Sequence, residues 1–105
     1  MYTHRFVNFT FLYSETIMVY ATFESFCVCE VSSALIKQKL LWEIDVSRTA
    51  KHPTFDVEYN VYQLIIRYEE HHVELWDTLI YDDQEPCIMT LESFLAALKA
   101  HVPPR

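Results

Sequence analysis

Not one of the 105 residues is glycine, where average usage would give about seven. Glycine reaches positive φ without steric cost and lets a backbone press close to a ligand. Its absence excludes a P-loop, a G-x-G-x-x-G dinucleotide turn and a G-x-S-x-G nucleophile elbow. Proline is sparse as well, at Pro53, Pro86, Pro103 and Pro104. Connections must therefore rely largely on Asp, Ser, Glu and Pro. Asp82 or Asp83, in the turn Asp82-Asp83-Gln84-Glu85-Pro86, is the best local candidate for positive φ.

Cysteine is scarce and odd in number: Cys27, Cys29 and Cys87. That is not a disulfide framework, and a reducing, cytoplasmic home is the simpler expectation. Placed on one strand, Cys27 and Cys29 would share a face yet suit a disulfide poorly. C-x-C with one distant cysteine also lacks the paired spacing of zinc sites. Buried structural thiols are the better reading. Long apolar runs are missing too. Asn8 and Thr10 interrupt residues 6–13, and Glu24 and Glu30 interrupt residues 17–31. Neither run has the uninterrupted stretch of about 20 apolar residues that a spanning helix needs, and neither reads as a targeting segment. No membrane association is expected.

Positive charge is what the second half lacks. Residues 1–54 carry five acids and five bases, whereas residues 55–105 carry ten acids and three bases. The whole net charge of −7 thus falls on the second half, and between Asp56 and Glu92 the only base is Arg67. If these acids share a face, it repels nucleic-acid phosphates and anionic lipid and suits a basic partner.

What is present is apolar material, 51% of the chain, with 15% aromatic. This suffices for the core of one domain over residues 1–105 and argues against disorder. Alternation predicts strands over Phe6–Tyr13 and Thr16–Phe23, the second with Ile17, Val19, Ala21 and Phe23 on one face. Its phase slips at Glu24-Ser25, which reads as a bulge or corner before Phe26 and Val28. Over Ser32–Ile44, a short helix capped by Ser32 or Ser33 competes with alternation through Leu40, Trp42, Ile44 and Val46. We expect a short helix near residues 33–40 followed by a strand over Leu40–Val46. The polar stretch Ser47–Thr54 reads as the main connector.

Phe55, Val57, Tyr59 and Val61 give the cleanest half-buried strand, continued or followed by a second segment over Tyr62–Tyr68. Glu69–His72 breaks the pattern, and Val73–Tyr81 resumes it. The chain closes with a helix capped by Thr90, with Glu92 in its first turn and Lys99 and His101 near its end. Its stripe is Leu91, Phe94, Leu95, Leu98 and Val102, and Pro103-Pro104 stop it. The expected fold is α+β: a mainly antiparallel sheet of five or six strands with the C-terminal helix on one face. So aromatic a sheet has edges and a second face to hide, which predicts a homodimer through one or the other.

Four groups of residues carry candidate chemistry. Glu70, His72 and Glu74 would share a strand face, a set able to hold a divalent metal, although contiguous ligands rarely complete a site. A solvated hairpin is the plainer reading, and no cofactor is expected. His71, His72 or Cys87, the last just before a helix N-terminus, are the groups an enzyme would use. Tyr59, Tyr62, Tyr68 and Trp76 (with Tyr81) suit either an interface or a core. Asp56, Glu58, Glu70, Glu74, Asp77, Asp82, Asp83 and Glu85 (with Glu69) form the candidate acidic surface. Pairing of the strands over 55–62 and 73–81 would bring several of them together.

The leading functional expectation is a small non-enzymatic cytosolic protein that offers an acidic, aromatic-rich surface to a basic protein, in an inhibitor, immunity-type or adaptor role. The alternative is an apolar pocket for a small molecule, with a cationic ligand favoured by nearby Glu and Tyr. An enzyme comes third.

Overall fold

A computed structural model describes residue 19, residues 21–78 and residues 86–104. A first helix, α1, is described over residues 21–30. It is followed by helix α2 (Ala34–Thr49), strands β1 (Thr54–Glu58), β2 (Tyr62–Arg67), β3 (His72–Asp77) and β4 (Cys87–Thr90), and helix α3 (Leu91–Ala100). The strands form one antiparallel sheet in the order β1-β2-β3-β4. The α+β class and the C-terminal helix agree with expectation. The sheet has four strands among the described residues, not five or six.

Strand alternation fixes which side of the sheet is covered. Leu64 lies opposite Val57 and Leu75, and Ile66 opposite Phe55 and Val73. Met89 extends that row from β4. Leu64, Ile66, Val73, Leu75 and Met89 are all buried. Phe26 of α1 meets Tyr59 and Tyr62 edge-on and packs against Phe94 of α3, and Phe23 meets Phe94 edge-on. Leu40 and Ile44 of α2 and Leu91 and Leu98 of α3 complete the same core. Removing this apolar area from water is the main stabilising term of the fold.

The first half departs most from expectation. Residues 21–30 are helical, not the end of a strand and a bulge. Phe23, Phe26, Cys27, Glu30 and Val31 are the buried positions, and their spacing of three and four is the period of a helix. The phase slip at Glu24-Ser25 was that period, read against a template of two. Likewise Leu40–Val46 is not a strand. Ser33 caps α2, its Oγ accepting from the Ile36 N–H over 3.2 Å, and the helix runs on to Thr49, into the expected connector. Its buried residues Leu40, Ile44 and Ser47 again fall at spacings of four and three. The expected strand Phe6–Tyr13 lies outside the described residues, as does the turn at Asp82 and Asp83.

In the second half, β1 and β2 separate as two strands, and β3 is described as far as Asp77. Strand β4 had no counterpart in the sequence pattern. Thr90 caps α3 by accepting from the Ser93 N–H over 3.1 Å. Val102 is not part of the helix stripe, because α3 ends at Ala100 and leaves Val102 exposed. Lys37 of α2 closes that end, its Nζ donating to the carbonyls of Lys99 and His101 over 2.7 Å each.

Two residues take the place of glycine. Lys51 has φ 62° and His71 has φ 54°. At the end of α2, the Lys51 N–H donates to the Arg48 carbonyl and the His52 N–H to the Ser47 carbonyl. This is the Schellman pattern, with Lys51 in the left-handed position that glycine usually fills. His71 closes the β2–β3 hairpin, its N–H donating to the Tyr68 carbonyl over 3.2 Å. Its own carbonyl accepts from the Leu91 N–H over 2.8 Å, which ties the hairpin to the start of α3.

Candidate functional site

The other side of the sheet carries the polar side chains. The register places Asp56, Ile65, Glu74 and Ile88 in one row across β1 to β4. Thr54, Arg67, His72 and Thr90 form the row on one side of it, and Glu58, Gln63 and Trp76 the row on the other. All three helices contribute to the opposite, apolar side.

Glu74 is the hub of this face. Arg67 Nε donates to its Oε2 over 2.6 Å, and Trp76 Nε1 donates to Oε1 over 3.1 Å. His72 Nε2 lies 3.0 Å from Oε2. A carboxylate only accepts, so His72 carries its proton on Nε2 in this contact. Glu74 is buried although it points away from the core. Burial pushes its carboxyl up, but the hydrogen bonds from Arg67, His72 and Trp76 outweigh burial and hold it below the ordinary carboxylate range. The hydrogen bond to Glu74, reinforced by its charge, correspondingly raises Arg67.

The three candidate metal ligands do come together, because Glu70 Oε2 approaches His72 Nε2 at 3.6 Å. Arg67 and Trp76 already occupy both oxygens of Glu74, however. No metal-binding group of three such residues occurs among the described residues.

The expected acidic surface is only partly assembled. β1 pairs with β2 and not with β3, so Asp56 and Glu58 are separated from Glu74 by one strand. All three still share the outer face. Asp56 accepts from Gln63 Nε2 over 3.0 Å. Glu69 and Glu70 are exposed in the hairpin. Asp77 lies opposite Tyr62 and so belongs to the other side. Asp82, Asp83 and Glu85 lie outside the described residues.

The aromatic candidates divide. Tyr59 and Tyr62 pack against Phe26 in the core. The Tyr62 hydroxyl donates to Ser25 Oγ over 2.7 Å, and the Tyr68 hydroxyl to the Ile44 carbonyl over 3.2 Å. Burial, aided by the charges of Glu43 and Glu30, pushes the Tyr59 phenol up to about 12. Trp76 alone of the four is on the outer face.

The cysteines do not converge. Cys27 is buried on α1, Cys29 is exposed and none is in a disulfide. Burial pushes the Cys27 thiol up to about 11. Cys87 opens β4, and its thiol donates to the Val19 carbonyl over 3.8 Å. Burial raises it as well, the reverse of an activated nucleophile.

Two features were not read from the sequence. In the sequence Arg67 stands as an isolated base, and its diagonal relation to Glu74 needs the β2–β3 register. In the sequence Glu30 is a charge that interrupts an apolar run. It is buried, and among the described residues its Oε2 has no hydrogen-bond partner. The helical spacing with Phe23, Phe26 and Cys27 is the signal that places it inward.

No protein-family profile matches the chain, and no curated protein or solved structure is significantly similar to it.

Proposed function

We propose that this chain is a small, non-enzymatic interaction protein that docks a basic protein partner on the outer face and hairpin end of its sheet. The observation that carries this reading is the commitment of Arg67. It is the one Lys or Arg between residues 54 and 78, and its guanidinium is bound to Glu74. Asp56, Glu58, Glu69 and Glu70 remain exposed, and among the described residues no Lys or Arg forms an ion pair with them. A field of one sign steers an oppositely charged partner and rejects phosphates. Trp76 and Ile88 beside them supply apolar area, the usual companion of charge in an interface. A partner segment rich in Lys and Arg, with an apolar residue for the Ile65–Ile88 row, fits this chemistry. Binding of such a peptide to the wild-type chain and to the double variant Asp56→Lys/Glu58→Lys, at low and high salt, tests the reading. Affinity should fall with salt and fall further in the variant. Equal affinity in both proteins contradicts it.

A second reading has one observation behind it. Among the described residues Glu30 Oε2 is a buried acceptor without a hydrogen-bond partner. A small organic cation would satisfy such a carboxylate. Thermal-shift screening with alkylammonium compounds tests it. A stabilisation lost in Glu30→Gln supports that reading, and no stabilisation by any of them removes it.

A further inference from the structure

Helix α2 has two apolar stripes. One, with Leu40, Ile44 and Ser47, is buried. The other points away from the core and holds Leu35, Lys39, Trp42 and Val46. Leu35 is 76% exposed, Trp42 65% and Val46 44%, and Lys39 is exposed beside them. The spacings of four, three and four place all four on one helix face, the d-a-d-a seam of a heptad. A tryptophan left this open at the middle of the helix, with a leucine equally open in its first turn, is unusual for a surface with nothing to bind.

We infer that this stripe is a homodimer seam on which a second copy of the chain docks its own α2 antiparallel. The sequence of the stripe is self-complementary in that direction. A two-fold axis between Leu40 and Leu41 sets Leu35 against the second copy's Val46, and Lys39 against the second copy's Trp42. The same two contacts recur on the other side of the axis, as an isologous interface requires. Lys39 then lies over an indole, a favourable cation–π placement. The flanking Gln38 falls opposite Asp45 of the other chain, which an amide can donate to.

The parallel alternative stacks like on like. It sets Lys39 against Lys39 at the centre of the seam, and like charges there are destabilising. Charge also favours α2 over the sheet as the meeting point. The helix carries Lys37, Lys39 and Arg48 against Glu43 and Asp45, whereas the chain as a whole has a net charge of −7. Two copies repel least where they meet through α2.

The contact is small. A helix of 16 residues is about 24 Å long, and one such face places the dimer among weak interfaces that bury less than about 1,200 Å² in total. A Kd in the micromolar range is expected.

Sedimentation velocity of the full chain over a concentration series tests this. The wild type should pass from monomer to dimer, and Leu35→Glu and Trp42→Ala should each weaken association at least about tenfold. Their circular dichroism and melting temperature should stay near wild type, because both side chains are exposed. Direction is tested in a Cys29→Ser background. Leu35→Cys combined with Val46→Cys should give a covalent dimer on mild oxidation. Leu35→Cys alone should not, since its two copies would lie about 16 Å apart along the axis. Three results would overturn the inference: a chain that stays monomeric up to about 1 mM, a dimer indifferent to both substitutions, or ready cross-linking by Leu35→Cys alone. A monomer whose Trp42 resists acrylamide quenching would assign the stripe to the chain's own residues and overturn it equally.

Discussion

Arg67 and Glu74 sit diagonally across the β2–β3 ladder, and the guanidinium Nε donates to the carboxylate Oε2 over 2.6 Å. Glu74 also gathers Trp76 and His72. One buried carboxylate thus orders three side chains on a face without helices. Glu74→Leu should cost about 1–3 kcal/mol in urea unfolding, since it leaves the Trp76 donor and the Arg67 charge without their acceptor. Arg67→Met should also destabilise, because it removes the cation that balances the Glu74 carboxylate. A loss of less than about 0.5 kcal/mol in Glu74→Leu would show the cluster to be incidental.

The same pair sets a pH dependence. The Glu74 carboxyl is held below its ordinary range when folded. The unfolded chain therefore binds the proton at higher pH. The contribution of Glu74 is present in full above the ordinary carboxylate range and is lost as pH falls through the lowered folded value. Acid titration of stability should be shallower in Glu74→Gln than in the wild type. Parallel acid limbs in the two proteins would contradict this.

The glycine-free turns make a prediction of opposite sign. Lys51 occupies the left-handed position that ends α2. A non-glycine residue there costs roughly 1–2 kcal/mol, and glycine's extra freedom when unfolded returns about half of the gain. Lys51→Gly should therefore raise stability by about 0.5–1 kcal/mol. Lys51→Val should lower it, because a β-branched residue tolerates positive φ poorly. Chemical denaturation of the two variants separates these outcomes.

Lys37 links α2 to the end of α3 through two carbonyls 62 and 64 residues away. Lys37→Met keeps the aliphatic stem and removes both charge-assisted bonds. We expect a loss of about 1–2 kcal/mol and faster amide exchange over residues 97–101. Unchanged exchange there would mean that the ammonium is not what closes the helix.

Phe26 is the aromatic centre of the core, in ring contact with Tyr59, Tyr62 and Phe94. Phe26→Ala should cost about 3–5 kcal/mol, a large part of the stability of a domain this size. Phe26→Leu should cost less. A tolerated alanine would place the core elsewhere.

Legibility of the sequence followed the strength of competing periods. β1, β2 and α3 were readable because alternation or a three-four stripe stood alone, framed by Pro53, Thr90 and Pro103. In α1 and α2, aromatic and β-branched residues imitate strands. Phe23, Phe26 and Cys27 satisfy a helix, yet Val19, Ala21 and Phe23 satisfy a strand equally well. In α2 the outward stripe of Leu35, Trp42 and Val46 adds apolar residues on a second face, and with Leu40 and Ile44 it completes a false alternation. The cap at Ser33 was visible; the length of the helix was not. At the site, the grouping of Glu70, His72 and Glu74 followed from strand alternation alone. Arg67 as their neutralising partner did not, because a diagonal contact depends on which residues β2 and β3 place opposite each other. A pairing of the strands over 55–62 and 73–81, considered as a way to gather the acids, passes over β2 for the same reason.

The proposed docking surface consists of the exposed carboxylates of the outer sheet face and its hairpin. The most direct measurement is an amide chemical-shift titration of the full chain with a Lys/Arg-rich peptide. Shifts centred on Asp56, Glu58, Glu69, Glu70 and Trp76, and abolished by high salt, are the predicted result. Absence of binding, or shifts centred on the helices and indifferent to salt, would contradict it.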